Sequence, residues 1–246
     1  MKHPLIPLKP LVQIGAASHQ TTLPDSFRVC VWNWHKCTER KWQEEFTALC
    51  REHDLFLAQE VRLEPAVLDT LKQSRFTWHT AAAFLSPLKK FPTGIAAGAQ
   101  VAAEDISCQS MAREPLVGLP KMTLRLFYPM THTRLCVINV HAVNFTGIKP
   151  FEKTLQYMAQ LINDTKGPVL LAGDFNTWNT RRVQALQEMV TQLELTEVPF
   201  TPDTRTQYLR RPVDYLFIRG LEVLNAQVLP CASSDHRPLS AALRII

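Results

Sequence analysis

The stretch GPVLLAGDFN, residues 167–176, decides the fold of this chain. Its apolar run has no polar face, which is typical of a strand buried on both sides within a parallel sheet. The run stops at two polar residues, Asp174 and Asn176. The pattern predicts a buried strand whose carboxyl end brings both residues to the edge of an α/β sheet.

A similar strand precedes it in the chain. RLCVINVH, residues 134–141, is another apolar run, and it ends in His141. The residues between the two runs have apolar side chains at helical spacing, namely Phe151, Leu155, Met158 and Leu161. A strand, a helix and a strand of these lengths form a right-handed parallel crossover, so both strands end at the same sheet edge. We therefore expect His141 and Asp174 to lie close together.

The same arrangement occurs near the start of the sequence. FRVCVWN (27–33) and DLFLAQE (54–60) are apolar runs that end in Asn33 and Glu60. The segment between them predicts a helix with Thr38 as its cap. The apolar positions of that helix are Trp42, Phe46, Leu49 and Cys50. A second crossover therefore brings Asn33 and Glu60 to one edge.

Two late strands have their polar residues at the beginning rather than the end. VDYLFIRG (213–220) starts next to Asp214, and LSAALRII (239–246) directly follows Asp235 and His236. If these strands run antiparallel to the earlier ones, their beginnings share the edge where the others end. Seven polar residues would then converge where open α/β sheets place their sites: Glu60, His141, Asp174, Asn176, Asp214, Asp235 and His236.

Composition is that of one folded domain. The chain has 246 residues, of which 46% are hydrophobic and 20% charged, and it contains no repeat or low-complexity linker. We expect an N-terminal extension, residues 1–24, followed by a single catalytic domain, residues 25–246. The net charge of +5, from 27 basic and 22 acidic residues, suits a polyanionic substrate. A mildly basic, solvated surface explains the same charge equally well.

The cysteines and the N-terminus bear on location. The six cysteines form no C-x-x-C pair and mostly lie inside apolar runs, which indicates reduced thiols and a cytoplasmic setting. MKHPLIPLKPLVQIGAASHQ is interrupted by prolines and lysine, which argues against a signal peptide, although export stays as the alternative. We find no run of about 18 apolar residues, the length that a membrane-spanning helix needs.

Read in order, these segments resemble the endonuclease/exonuclease/phosphatase superfamily, which has the DNase I-like fold. The matching pieces are VWN (31–33), AQE (58–60), TG (93–94), NVH (139–141), AGDFN (172–176), VDYLF (213–217) and SDHRPL (234–239). Each piece is weak alone, but the combination in this order is specific. The resemblance implies a four-layer α/β sandwich, with two mixed sheets packed face to face and helices outside.

The resemblance also implies a catalytic Mg²⁺ or Mn²⁺. The residue that matches Glu60 binds the metal in such enzymes, and those that match Asn33 and Asp235 contribute to the same or a neighbouring position. Hard cations of this kind prefer oxygen ligands and keep several waters, so a few carboxylates suffice. Such an ion polarises phosphoryl oxygens and offsets charge as it develops.

The catalytic roles follow from the same resemblance. Asp174 would orient or deprotonate the attacking water, and Asn176 would hold a phosphate oxygen. His236 would contact the phosphate, with Asp214 fixing its tautomer and favouring its protonated form. His141 matches a histidine-bearing branch of the family, in which this residue stabilises or protonates the leaving group.

Two loops are candidates for substrate contact. Lys89 and Lys90 lie in FLSPLKKFPTG (84–94), and Trp178, Arg181 and Arg182 lie in TWNTRR (177–182). Thr180 is expected to cap the following helix, which would put both arginines in the first helical turn, where the helix dipole disfavours cations. Phosphate contact and a purely structural role are equally compatible with that placement. Trp32 and Trp34 could stack on substrate, although such residues more often belong to the core.

The predicted function is phosphodiester hydrolysis by a monomeric enzyme, with nucleic acid as the favoured substrate. NVHAVNF replaces the tyrosine-bearing segment of abasic-site endonucleases, and the signatures of inositol polyphosphate 5-phosphatases are missing. His141 is compatible with a lipid phosphodiesterase similar to sphingomyelinases, but the sequence shows neither a persuasive export signal nor an exposed apolar hairpin, which argues against that alternative. A catalytically silent binding module is the alternative outside the enzymes, and all seven polar positions being filled argues against it.

Overall fold

The computed structural model describes residues 5–15, 20–115 and 118–246. Most of the strands in this part of the chain belong to two mixed sheets. The first sheet has seven strands in the order β1-β4-β5-β3-β2-β15-β14. Their bounds are β1 Leu11–Ile14, β2 Ser26–Asn33, β3 Leu55–Arg62, β4 Thr77–Leu85, β5 Pro92–Ala99, β14 Leu221–Val228 and β15 Leu239–Ile245.

The second sheet has six strands in the order β10-β13-β9-β8-β7-β6. Their bounds are β6 Glu104–Arg113, β7 Pro120–Pro129, β8 Arg134–His141, β9 Val169–Asp174, β10 Thr196–Glu197 and β13 Asp214–Arg219. A short hairpin stands apart from both sheets and consists of β11 Gln207–Tyr208 and β12 Arg211–Pro212.

Helices cover the outer face of each sheet. The helices are α1 Trp42–Glu52, α2 Pro65–Gln73, α3 Ile148–Asn163 and α4 Thr180–Gln192. Apolar side chains of α1 and α2 pack against the first sheet, around Trp34 and Trp78. Those of α3 and α4 pack against the second sheet, around Phe175 and Phe217. The predicted four-layer α/β sandwich is confirmed.

The strand directions agree with the sequence analysis. β2 and β3 are parallel and joined through α1, and β8 and β9 are parallel and joined through α3. β13 runs antiparallel to β9, and β15 runs antiparallel to β2. The assumed direction of the last two strands is therefore confirmed, and the polar ends of all six strands meet at one edge.

Two predicted helix caps are wrong. The first turn of α1 begins at Trp42, and its cap position is Lys41, which makes no side-chain capping bond; Thr38 instead bonds the carbonyl of His35. The cap of α4 is Asn179, whose Oδ1 accepts a 3.0 Å hydrogen bond from Arg182 N, while Thr180 is the first helical residue. Asn is as good a cap as Thr, so the sequence did not distinguish the two neighbouring positions.

Part of the predicted N-terminal extension joins the fold. β1 pairs antiparallel with β4 at the edge of the first sheet, and Leu23 is fully buried between the sheets. Residues 1–4 and 16–19, on which part of the signal-peptide argument depends, lie outside the described residues. Among the residues that are described, no helix has the length and hydropathy to cross a membrane.

Candidate active site

Alternation along the strands places the polar residues. In each central strand, every second side chain enters the core between the two sheets, as Leu135 and Val137 do in β8. Continuing that alternation to the strand ends gives polar residues in place of apolar ones: Asn33, Gln59, Asn139, His141, Asp174 and Asp214. All six are buried. The site therefore lies at the end of the inter-sheet core where β2, β3, β8 and β9 end and β13 begins. The strands themselves fix the positions of its side chains.

Glu60 reaches the same cleft through a β-bulge. By simple alternation it would face α1 and α2, but β3 has one extra residue relative to β5 between Ala58 and Val61. Glu60 adopts a left-handed backbone with φ of 52°. Its carboxylate lies 3.0 Å from Lys36 Nζ and 3.9 Å from Lys121 Nζ. Strain of this kind in a charged residue is typical of functional sites.

The charge of Glu60 is strongly stabilised. Burial alone would raise the pKa of its carboxyl group, but positive charge outweighs burial and lowers the pKa: that of His141 whenever its ring is protonated, and those of Lys121 and Lys36 at any neutral pH. Because burial and Lys121 together hold the pKa of His141 well below its ordinary value, His141 is neutral. The two ammonium groups therefore carry this stabilisation, and Glu60 is ionised at all physiological pH values.

His236 and Asp214 form a buried ion pair. His236 Nδ1 donates to Asp214 Oδ2 over 2.7 Å, and burial, which alone would lower the pKa of the imidazole, is outweighed by Asp214. The pKa of His236 rises to about 10. His236 is thus a fixed cation at neutral pH, in a place where its other ring nitrogen is free to meet an anionic oxygen.

Asp174 lies between these two histidines. Its Oδ1 accepts from the backbone N–H of Asn176 over 2.9 Å, and its Oδ2 accepts from Asn33 Nδ2 over 3.1 Å. His141 Nε2 is 3.5 Å from the same Oδ2. Burial raises the pKa of Asp174 to about 7, with the His236 cation opposing the shift and Asp214 adding to it. A carboxyl group with a pKa near 7 is well suited to general-base chemistry.

His141 is paired with a lysine instead of a carboxylate. Lys121 Nζ lies 2.9 Å from His141 Nε2, and as an ammonium group it donates to that nitrogen. Lys121 also contacts Glu114, at 3.1 Å between Nζ and Oε1. The ammonium is itself largely buried, so the three side chains form a compact network on one side of the cleft. His141 is fixed as the tautomer with its proton on Nδ1.

A polar bridge joins the two sheets directly beneath the site. Gln59 Nε2 in the first sheet donates to Asn139 Oδ1 in the second over 2.7 Å. Asn139 Nδ2 donates back to the backbone oxygens of Ala58 and Ala96 over 3.1 and 2.8 Å. These bonds are fully buried, so they resist exchange with water. These bonds hold the first sheet, which carries Glu60, against the second sheet, which carries His141.

An unusual turn follows Asn33. His35, Lys36 and Cys37 all have positive φ, at 45°, 62° and 57°, in a single left-handed turn. The turn directs Lys36 onto Glu60 and brings His35 Nδ1 within 3.6 Å of Asp235 Oδ1. Three consecutive left-handed residues without glycine are costly, which again marks this edge as functional.

These residues border a cavity of about 290 Å³. Six of the eight residues predicted to act in catalysis or metal binding line it, namely Glu60, His141, Asp174, Asn176, Asp235 and His236. The other two, Asn33 and Asp214, are buried behind Asp174 and His236, which they hydrogen-bond. Residues as far apart in sequence as Asn33 and His236 therefore form one site, as chain direction predicted.

Comparison with known proteins agrees with this geometry. The sequence profile described as the endonuclease/exonuclease/phosphatase family matches residues 32–236. This chain belongs to the endonuclease/exonuclease/phosphatase family. Members of that family are phosphoesterases that generally depend on divalent metals. The resemblance found from the sequence motifs is confirmed.

Relatives and solved structures with this fold extend the comparison. A UPF0294 protein of Yersinia pseudotuberculosis is 38% identical over 215 residues, which cover 86% of this chain and 81% of the relative. An endonuclease/exonuclease/phosphatase family protein from Leptotrichia buccalis has a TM-score of 0.68 at 16% identity, covering 89% of this chain and 99% of its own. The human Nocturnin catalytic domain with bound sulfate has a TM-score of 0.67 at 18% identity, with 92% and 97% covered.

One predicted substrate contact of this family member is wrong. Arg182 is fully buried, and its guanidinium donates to the backbone oxygens of Val143, Thr146 and Asn176. It also lies over the ring of Phe151, with Cζ 4.7 Å from the centroid. Arg182 therefore joins the loop after β8 to the turn after β9 that contains Asp174 and Asn176, which we call the catalytic turn. Its guanidinium is not exposed to substrate. Its position in the first turn of α4 is explained by these contacts.

The other substrate candidates divide by location. Lys89 and Lys90 are exposed on the β4–β5 loop, where Lys89 lies over Phe91 and Lys90 bonds the carbonyl of Pro87; neither lines the catalytic cavity. Trp178 and Arg181 line a separate depression beside the site. All four remain predictions as substrate contacts. Trp32 and Trp34, by contrast, are buried against α1 and the first sheet, so the core interpretation is correct.

Two lysines of the site were not predicted from the sequence. Lys36 and Lys121 both face Glu60, and Lys121 contacts His141 as well. Lys36 stands three residues after Asn33, and Lys121 is the second residue of β7. Neither follows a recognisable motif, because each reaches the site through the shape of a turn or a sheet edge. A charged residue at the start of an otherwise apolar strand such as KMTLRLFY was the one available signal.

The donor atoms fit a hard divalent cation. Glu60 is an ionised carboxylate facing the cavity, and the largely exposed Asp235 lines the same cavity. Asn33 uses Nδ2 on Asp174 and Oδ1 on His35 N–H, so the structure gives it an orienting role, and metal binding by Asn33 stays a prediction. A second set of possible ligand atoms, on Asp174, Asp214 and His236, lies within 4.8 Å of one another. Oxygen predominates in both sets, as Mg²⁺ and Mn²⁺ prefer.

Proposed function

We propose that this protein is a Mg²⁺- or Mn²⁺-dependent phosphodiesterase that cleaves DNA or RNA by in-line attack of a water molecule. One observation carries the proposal. A carboxyl group with a pKa near 7, Asp174, lies between a protonated imidazole, His236, and a neutral one, His141, at the wall of an open cavity. Hydrolysis of a phosphate ester needs these three functions: a base, a cation for the anion, and help for the leaving oxygen.

Each side chain has a role that its surroundings support. Asp174, held by Asn33 and the N–H of Asn176, orients the attacking water and accepts its proton. His236 donates from Nε2 to a phosphoryl oxygen, while Asp214 keeps its ring charged and fixed. Asn176, with φ of 52°, lines the cavity and donates to Ala142 O, which fixes its orientation towards the phosphate.

The opposite side of the cavity supports the leaving group. In the pair of His141 and Lys121, Lys121 is the donor, and His141 Nε2 accepts from its ammonium group. As negative charge develops on the leaving oxygen, Lys121, which lines the cavity, can donate a hydrogen bond or a proton to it, while His141 holds the ammonium in position. Glu60 and Asp235 would hold the divalent cation, which polarises the phosphoryl oxygens when bound.

Charge supports nucleic acid as the substrate. The chain has five more basic than acidic residues, and the acidic residues of the site would be partly neutralised by a bound cation. Cations also stand at the cavity itself, as Lys36 and Lys121 do. Every such charge adds to the binding affinity of a polyanion along its length, whereas a small ester meets only the charges at the reacting site.

A substrate panel tests the proposal. Purified protein with Mg²⁺ or Mn²⁺ is incubated with plasmid DNA, single-stranded DNA, RNA, bis-p-nitrophenyl phosphate, sphingomyelin and phosphoinositides, with Asp174→Asn as the inactive control. We expect metal-dependent cleavage of bis-p-nitrophenyl phosphate and of a nucleic acid. Exclusive cleavage of sphingomyelin or a phosphoinositide would replace the nuclease with a lipid enzyme, and the absence of any cleavage would favour the binding module.

The metal assignment has a separate test. Glu60→Gln removes the ionised carboxylate while keeping its shape, so calorimetric titration should show Mg²⁺ and Mn²⁺ binding weakened at least about tenfold. Glu188→Gln, on the exposed side of α4, is the matched control. Unchanged metal affinity in Glu60→Gln would exclude Glu60 as a ligand.

A further inference from the structure

Two aromatic side chains stand out on the surface. Among the residues that the structure describes, Phe145 and Tyr208 are the aromatic side chains with more than half of their surface exposed, at 55% and 52%. They come from different parts of the chain, the loop after β8 and the β11–β12 hairpin. Both line the same groove beside the catalytic cavity. Aromatic rings seldom stay exposed, and a coincidence of both at one place indicates a shared ligand.

The groove is continuous with the catalytic site. It has a volume of about 350 Å³, and we call it the side groove; its walls include Phe145, Trp178, Tyr208 and His236. Phe145, Asn176 and His236 line both the side groove and the catalytic cavity. A chain whose phosphate meets His236 can therefore extend directly into the side groove. The volume falls within the range of sites that bind a small organic group.

Phe145 is held in its exposed position by a buried framework. Its backbone has φ of 51°, and its N–H donates to Asn144 Oδ1 over 2.8 Å. Arg182 bonds Val143 and Thr146, the residues two before and one after it. A bulky residue in this conformation is a genuine outlier. The loop is therefore fixed with its ring outside, rather than free to fold the ring into the core.

Tyr208 is positioned by an anchored hairpin. The two residues of its turn, Leu209 and Arg210, have φ of 49° and 64°, the geometry of a tight two-residue hairpin turn. Thr206 Oγ1 at the hairpin base donates to Asp235 O over 3.1 Å, and Thr177 Oγ1 donates to Pro212 O over 2.7 Å. The hairpin is thus tied both to the SDH segment and to the catalytic turn.

Two exposed arginines lie near the side groove. Within it, Asp235 and His236 offset each other. A further depression of about 370 Å³ continues from Trp178 to the exposed Arg181. Arg210, which is also exposed, stands two residues after Tyr208 in the turn of the hairpin. Exposed rings with arginines nearby match a polymer that alternates flat bases with phosphates.

We propose that the side groove binds unpaired bases, with Phe145 and Tyr208 stacking on them, so that the substrate is single-stranded nucleic acid or an unpaired segment. This inference rests on the proposed function for its substrate class. In a duplex the faces of the bases are covered by their neighbours, and rings on the protein surface cannot reach them. In a single strand every base has a face to offer, whatever its identity.

Binding without turnover is the first test. A 12-nucleotide strand carrying 2-aminopurine is titrated with the full chain in EDTA, alone and annealed to its complement, and fluorescence reports stacking. We expect the fluorescence of the single strand to be quenched and its affinity to exceed that of the duplex at least about tenfold. Equal affinity for the two forms would overturn the proposal.

Variants locate the stacking. Phe145→Ala and Tyr208→Ala should each weaken single-strand binding at least about fivefold, the lower end of what one stacked base contributes, and should lower the ratio of single-strand to duplex affinity. Leu224→Ala, which removes a similarly exposed apolar side chain from β14 in the first sheet, should leave that ratio unchanged. Unchanged quenching in both aromatic variants would overturn the assignment.

A membrane is the competing partner for exposed Tyr208 and Leu209. Cosedimentation with vesicles of phosphatidylcholine and sphingomyelin distinguishes it. Vesicle binding that is lost in Tyr208→Ala, together with unchanged oligonucleotide binding, would overturn the proposal in favour of a lipid surface. We expect no vesicle binding that depends on Tyr208.

The two proposals can fail separately. If the chain hydrolyses bis-p-nitrophenyl phosphate but binds single strand and duplex alike, the side-groove proposal is wrong and the proposed reaction stands. If the chain cleaves no ester with either metal but binds single strands through Phe145 and Tyr208, the reaction is wrong and the side-groove proposal is supported.

Discussion

Two histidines on opposite sides of Asp174 have opposite charge states. His236 has a carboxylate partner, Asp214, which raises its pKa to about 10. His141 has an ammonium partner, Lys121, and the pKa of His141 lies well below its ordinary value, first because of burial and then because of that ammonium. One imidazole is therefore a fixed cation and the other a neutral acceptor.

The difference shows that the second residue of each pair, not the histidine, determines the chemistry. In both pairs the contact is short, at 2.7 Å and 2.9 Å, and most of each imidazole is buried, with 15% of the His236 side chain and 6% of the His141 side chain exposed. Only the sign of the partner's charge differs. Such a site can stabilise the negative charge of the phosphate on the His236 side and the negative charge that develops on the leaving oxygen on the His141 side.

Removing the carboxylate between the two histidines should have the largest effect. Asp174→Asn keeps the shape of the side chain and one of its two accepted hydrogen bonds, from Asn33 or from the N–H of Asn176, but it cannot accept a proton, so we expect kcat on bis-p-nitrophenyl phosphate to fall about 10⁴-fold. Calorimetry should show nearly normal metal affinity. A comparable loss of both activity and metal binding would contradict the division of roles between Asp174 and Glu60.

Neutralising the partner of His236 comes next. Asp214→Asn removes the charge that holds the pKa of His236 near 10, so that pKa should fall, and kcat should fall about 10³-fold as the cation is lost at neutral pH. Nitrogen-15 NMR of the imidazole in metal-free protein measures the shift. Asp69→Asn, on the exposed side of α2, is the control, and an unmoved His236 titration in Asp214→Asn would refute the pairing.

Exchanging the partner of His141 should have a smaller effect. Lys121→Met removes an ammonium at 2.9 Å, so the pKa of His141 should rise, because Glu60 and Asp174 remain beside it at 3.9 and 3.5 Å. We expect kcat to fall about 10²-fold, the effect of losing one charged donor. The same NMR titration measures the pKa, with Lys72→Met on α2 as the surface control.

A third buried histidine, His53, tests what burial does without a charged partner. Its ring bonds Leu49 O and Ser240 Oγ, and burial lowers its pKa. Below pH 6.5 the His53 ring therefore binds a proton more readily in the unfolded state than in the folded state. Its contribution to the free energy of unfolding is present above that pH and is lost as the pH falls.

The replacement His53→Gln makes that loss measurable. At pH 8 the variant should be less stable by about 1 kcal/mol through one lost hydrogen bond, and the difference should narrow below pH 6.5, because only the histidine titrates. Urea unfolding at several pH values measures it, with the exposed His132→Gln as control. A constant difference from pH 8 to pH 5 would show that His53 does not contribute to acid sensitivity.

Much of the fold could be predicted because strand direction is encoded in simple patterns. GPVLLAGDFN and RLCVINVH have apolar runs that end at polar residues, and those ends became the rim of the cleft. The bulge that turns Glu60 into the cleft was not predictable, because its one extra residue becomes apparent only against β5. The order of the segments in the sequence therefore predicted which sheet edge carries the site, but not the local geometry that orients each side chain.

The surrounding residues were harder to predict for a similar reason. Arg182 was considered as a phosphate contact because a cation in the first turn of a helix is locally unfavourable. Its three backbone partners are 6 to 39 residues away, so no local pattern could show that it is buried. Lys121 likewise acts on His141 only because β7 and β8 are neighbours in the sheet.

The bonded pair Gln59 and Asn139 has a further consequence for selectivity. Because it ties one sheet to the other under the cleft, we expect the width of the opening to be set before any ester arrives, and the reacting groups to meet the ester without a closing motion. Free energy that a hinged enzyme would use to bring its halves together stays available to discriminate between ligands. A cleft of fixed width rejects molecules by size, whereas a flexible cleft would adapt to them.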